Sequence, residues 1–197
     1  MKQIFLFFLI CMPVIIVTGC SSVEDEPVSP ISIVQVYDNP LQPTELPDSI
    51  AMLAVSGAND FAFKLSALLA ENAGYGNLIV SPFSVWLPLA ALSNATDEAN
   101  KGVLMDALGM SGMGDYINRA TAHMLYDLTN DDTLMITNAL FVDYNKMPQH
   151  DFAQAYMDYY RGTVMKVDFA SPDAVDAVNQ WGYENTNGLV EKMVNHP

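Results

Sequence analysis

Apolar and polar positions alternate with two different periods along this chain, and the switches between them mark its elements. The first clear pattern begins near Ile50. Phe61, Leu65, Leu68, Leu69 and Asn72 recur at helical spacing, with Asn59 or Asp60 placed to cap the start and Gly74 and Gly76 to stop it. Asn77-Leu78-Ile79-Val80 is a short apolar run that reads as a strand. Ser81-Pro82 then predicts a second helix, serine as N-cap and proline at the first turn. Its stripe is Val85, Leu89 and Leu92, widened by Trp86 and Ala90. Almost nothing charged occurs from 77 to 95, so this helix is expected to be buried on most sides. Pro88 falls inside it and removes one intrahelical hydrogen bond, which predicts a kink.

Thr96 or Asp97 caps a third helix that Gly109 ends. A fourth runs from Asp115 to about Thr129, with Ile117, Thr121, Met124, Leu125 and Leu128 inward. From Thr133 to Val142 the period changes to two, with apolar residues on both faces, as in a strand covered on both sides. A helix over 149–160, a strand over 163–169 and a helix opened by Ser171-Pro172 complete the order. The last of these has Val175, Val178 and Trp181 inward. The expected class is α+β, with helices packed around parts of a larger sheet. Strands this sparse leave sheet edges open.

The start of the chain differs. Lys2 precedes an apolar run from Ile4 to Val17, and Val17-Thr18-Gly19-Cys20 places small residues directly before a cysteine. This resembles the lipobox of bacterial lipoproteins. It implies a signal peptide over 1–19, a lipid on Cys20 and export to the outer membrane or cell surface. Cys11 would leave with the signal, so no cysteine remains for a disulfide, a metal or a nucleophile. Residues 20–49 contain five prolines and read as an acidic tether, and the globular part is expected over 50–197. Glu24-Asp25-Glu26 reads either as a surface-export signal or as a plain solvated charge run.

Charge and motifs exclude more than they suggest. With 23 acidic against 8 basic residues, the net charge of -15 argues against nucleic acid as a partner. No pair among His123, His150 and His196 has metal-ligand spacing, and no dinucleotide, phosphate-loop or nucleophile-elbow motif occurs. No catalytic residue, metal or cofactor is expected.

The segments placed as buried also resemble the serpin family. Residues 59–65 resemble its first helix, and 76–84 (GNLIVSPFS) its most recognisable N-terminal motif. LMDALG at 104–109, TNALFVD at 137–143, VDF at 167–169, VNQW at 178–181 and TNGL at 186–189 follow in the family's order. The fold-motif positions are Asn77, Pro82, Asn138, Phe141, Asn179, Trp181, Thr186 and Gly188.

The resemblance implies an inhibitor of serine or cysteine proteases. Its target protease cleaves a reactive loop, and the loop then inserts into the large sheet. It also places Ser81 and Ser84 in a polar "shutter" under the strands that part. It implies a domain about twice the length matched here, so the chain is expected to be an N-terminal half without the reactive loop. The alternative is a serpin-fold surface binding protein that does not inhibit, or an inactive truncated product. One departure stands out: the family usually has Gly where Asn94 stands.

Overall fold

The computed structural model describes residues 31–35, 44–74, 76–130 and 134–195. Cys20, the signal segment, Thr133 and His196 lie outside them. Six helices and three strands make up the described chain, four of the helices following one another between the first and second strands, with short 3-10 turns at Ser93–Ala95 and Gly114–Tyr116.

Helix α1 (Asp48–Asn72) starts at Pro47, not at the expected Asn59 or Asp60, which lie in its middle. The first two turns pack in the core through Ala54 and Gly57, so tertiary packing extends the helix beyond the segment with an obvious stripe. Gly57 lies on the backbone of Gly109: a Cβ there would sit 2.1 Å from the Gly109 carbonyl oxygen. Gly109 itself has a φ of 70°, a conformation that glycine adopts at little steric cost. Two glycines let α1 and the end of α3 touch main chain to main chain.

Helix α2 (Pro82–Leu92) opens as expected, with the Ser81 side chain accepting the Ser84 amide. Its buried face differs from the expected stripe. Trp86, Leu87, Ala90 and Ala91 are buried, whereas Val85 and Leu92 are 41% and 44% exposed. A helix apolar all round gives no periodic signal, so only its neighbours choose the inward side. Here α1, α4 (Ile117–Thr129) and α5 (His150–Tyr160) choose it. The helix continues through Pro88, on the exposed side; Ser84, whose carbonyl loses its partner, is also exposed. Residues 77–80 form no strand, and Ile79 is 97% exposed. No described strand lies beside them to complete a ladder.

Helix α3 (Glu98–Ala107) is capped by Asp97, whose carboxylate accepts the Asn100 amide at 2.9 Å. Helix α4 (Ile117–Thr129) buries Ile117, Thr121, Met124 and Leu125 as expected, but Leu128 is 40% exposed. Helix α5 (His150–Tyr160) ends at Arg161 in the left-handed region, a turn that feeds the chain straight into β3. Helix α6 (Ala174–Asn185) follows a turn in which Ser171 Oγ accepts the Asp173 amide at 3.2 Å.

The sheet has the order β1-β3-β2. Strand β2 (Asn138–Asp143) runs parallel to β3 (Gly162–Val167), in register from Asn138 opposite Gly162 to Asp143 opposite Val167. Helix α5 makes the crossover that parallel neighbours require. β2 is shorter than the period-two run: residues 134–137 are extended but unpaired, because β3 begins only at Gly162. β1 (Ile31–Gln35) lies within the expected tether and corrects that reading. Its backbone pairs antiparallel with β3, with a register shift between Ile33 and Gln35. The core gathers Trp86, Leu87, Leu108, Met110, Ile117, Leu125, Tyr160 and Val164 between the helices and one sheet face. The indole of Trp86 donates to the Leu108 carbonyl at 3.1 Å, so its buried N–H is satisfied.

Candidate functional site

Strand β2 is where the singled-out residues meet. At its start, Ser81 and Ser84 at the mouth of α2 form a hydroxyl pair, Ser84 Oγ donating to Ser81 Oγ at 2.8 Å. The two serines line a cavity of about 430 Å³ together with Phe83, Leu87, Ile136 and Asn138. Capping and cavity lining are therefore done by the same hydroxyls. Asn138, the first residue of β2, donates from Nδ2 to the Tyr160 carbonyl at 2.9 Å. That bond fixes the start of β2 to the end of the crossover helix.

On the opposite face α6 lies against the strand. The rings of Phe141 and Trp181 meet edge to face, centroids 5.6 Å apart at 88°, a geometry that places the positive edge of one ring on the negative face of the other. Asn179 is 8% exposed and folds the chain after α6 back upon the helix. Its Oδ1 accepts the amides of Met193 at 2.8 Å and Val194 at 3.0 Å, and its Nδ2 donates to the Val194 carbonyl at 2.9 Å. Thr186 Oγ1 donates to the Gly182 carbonyl at 2.7 Å and accepts the Val190 amide at 3.0 Å. Gly188 turns the chain with a φ of 78°. Asn179, Thr186 and Gly188 thus hold one return loop. Asn77 belongs to neither group; it is exposed in the irregular segment before α2, while Pro82 is the first residue of that helix.

A buried polar node was not visible in the sequence. The Tyr160 hydroxyl donates to Asn118 Oδ1 at 2.8 Å, lies 3.2 Å from the Ala90 carbonyl and accepts from Asn94 Nδ2 at 3.5 Å. It joins α2, α4 and α5. Burial pushes the Tyr160 hydroxyl far above the usual tyrosine range, and the Tyr156 hydroxyl up to about 12. Asn94 was conspicuous only as a departure from a glycine.

Among the described residues no three His, Cys, Asp or Glu side chains cluster as metal ligands. His123 Nε2 stands 3.5 Å from Asp127 one turn along α4, a surface pairing. A cap, a strand start, a crossing helix and a return loop make a scaffold for a sheet rather than a reaction centre.

That α+β scaffold, with α6 touching β2 through Trp181 and a largely apolar cavity at the strand start edged by two serine hydroxyls, has known counterparts. The family profile of Serpin (serine protease inhibitor) matches residues 56–197. Mouse Serpin A12 is 24% identical over 165 residues, covering 81% of this chain and 40% of that protein. Antichymotrypsin-2 of the silkworm Bombyx mori is 27% identical over 143 residues, covering 71% and 38%. Among solved structures, the thermophilic serpin tengpin in its native state superposes with a TM-score of 0.68 at 24% identity, over 86% of this chain and 43% of the other. The chain belongs to the serpin family, a family of protease inhibitors rather than enzymes, and carries part of the serpin fold. It spans about two fifths of the length of these relatives.

Proposed function

We propose that the protein inhibits serine or cysteine proteases by the insertion of a cleaved reactive loop into its sheet, and that the residues described here supply the scaffold on which insertion acts. One arrangement carries this reading. The serpin profile matches residues 56–197, and the cavity lined by Ser81 and Ser84 lies at the start of β2, the strand that the TNALFVD motif marks. The serine hydroxyls, able to donate and accept, can exchange partners beneath it.

We propose further that a lipid on Cys20 displays the protein on the outside of a bacterial cell. The family supports the first proposal, and the residues from Lys2 to Cys20 the second.

The test of inhibition is incubation of the complete gene product with a panel of serine and cysteine proteases. A protease–protein complex stable in denaturing electrophoresis is the expected outcome. Cleavage of the protein throughout the panel with no such complex overturns inhibition and leaves a non-inhibitory serpin-fold binding protein.

A further inference from the structure

The strand β1 lies before residues 56–197, the segment that the serpin profile matches. It falls eleven residues after Cys20 and thirteen before the start of α1, inside a proline-rich acidic segment. Its backbone is nevertheless paired with the outer edge of β3, Ile31 opposite Val167 and Gln35 opposite Val164. The end of β1 nearer to Cys20 therefore lies at the Val167 end of β3, beside the turn that leads into α6.

This pairing changes the reach of the anchor. A fully extended chain covers at most roughly 3.3–3.6 Å per residue, so Cys20 lies within about 40 Å of Ile31. If β1 were unpaired, the first fixed point would be Glu45, whose carbonyl accepts from the Arg119 guanidinium, and the same limit would be about 90 Å. Charge does not do the holding. Between Cys20 and Ile31 the ionisable residues are Glu24, Asp25 and Glu26, with no Lys or Arg, so this segment has no attraction to anionic headgroups. Within this segment chain length and strand pairing set the reach of the anchor.

We infer that β1 is a clasp that shortens the lipid leash and fixes which side of the domain faces the bilayer, the β1–β3 edge at its Val167 end. The inference rests on the proposed lipid on Cys20, and its partner is a lipid bilayer.

The experiment uses the full chain carrying its lipid, placed on a supported phosphatidylcholine bilayer and measured by neutron reflectometry. The double variant Ser32→Pro/Ile33→Pro removes two amide donors from β1. It should move the protein layer outward by on the order of 10 Å, the difference between coil dimensions of the two leash lengths. A second variant, with twelve Gly/Ser residues inserted between Val28 and Ser29, leaves β1 untouched and should move the layer outward as well.

In the lipid-free Cys20→Ser chain, hydrogen exchange of β3 amides should quicken at least tenfold in the proline variant. Metabolic labelling with palmitate tests the anchor separately. Label present with both variants at unchanged height overturns the clasp and leaves the anchor standing. Absence of label overturns both, and unchanged β3 exchange overturns the pairing itself.

Discussion

Asn94 and Asn118 bond each other reciprocally: Asn94 Nδ2 donates to Asn118 Oδ1 at 3.0 Å, and Asn118 Nδ2 donates to Asn94 Oδ1 at 2.9 Å. The pair links the end of α2 to α4, and the Tyr160 hydroxyl completes it from α5. Truncating either amide strands partners that are partly withdrawn from water. Asn118→Ala is expected to lower stability by about 2 kcal/mol. Asn94→Gly, although it restores the residue usual in the family, should cost a similar amount. Urea unfolding of the two single variants and the double variant should show coupling of about 1 kcal/mol. Strict additivity would mean that the amide pair contributes nothing as a pair.

The two buried tyrosines make an alkaline limit. Burial raises the hydroxyl pKa of Tyr156 to about 12 and that of Tyr160 further, while an unfolded tyrosine titrates near pH 10. The folded state therefore holds protons that the unfolded state releases. Their contribution is full below pH 10 and is lost as pH rises above it, by up to about 1.4 kcal/mol per unit for each tyrosine. Stability measured from pH 9 to 11.5 should fall, and Tyr160→Phe should flatten part of the fall. An equal slope in that variant would show that Tyr160 takes no part.

Asn179 closes the loop after α6 with three hydrogen bonds. Asn179→Ala would leave two backbone amides and one carbonyl without their partner, with an expected loss of about 2 kcal/mol. Hydrogen exchange should localise the effect, the Met193 and Val194 amides speeding up while β3 amides hold. Asn179→Asp keeps the acceptor for both amides and should retain more of their protection than the alanine variant.

Gly57→Ala tests the contact of α1 with the end of α3. The added methyl would sit on the Gly109 carbonyl, and main chain cannot rotate away as a side-chain tip can. A loss of about 3 kcal/mol or more is expected, against a gain of up to about 1 kcal/mol for the same change in an unobstructed helix. Denaturant unfolding decides between them, and a neutral or stabilising result would show that the helix shifts freely.

Much of this architecture was legible in the chain. α4 has one apolar stripe and a polar face, so Ile117, Thr121, Met124 and Leu125 could be read directly as inward and only Leu128 departs, whereas on α6 Val178 is buried and Val175 and Trp181 are half-buried. The α2 cap at Ser81 and the α3 cap at Asp97 are local chemistry, a side-chain oxygen placed to accept an amide three residues on. Among the residues singled out by the family motifs, Phe141 meets Trp181 and Asn179 holds the loop that Thr186 and Gly188 also close, while Asn77 is exposed and joins neither group.

Other features were illegible for a physical reason. The inward face of α2 has no periodic signature, because every side is apolar. The segment 77–80 has strand composition but no ladder partner among the described residues. The Asn94–Asn118–Tyr160 node joins side chains as many as 66 positions apart, and no local pattern reports such a meeting.

The sequence by itself determined the serpin membership, the helices α2 to α6 and the caps at Ser81 and Asp97, because each is written in neighbouring residues or in an ordered set of motifs. The tertiary structure alone decided which side of α2 is inward and where β2 begins. It also decided that three polar groups meet at Tyr160 and that Ile31–Gln35 belongs to the sheet. A strand exists only where a second backbone lies beside it, and β1 finds that partner in β3, more than 120 residues away along the chain.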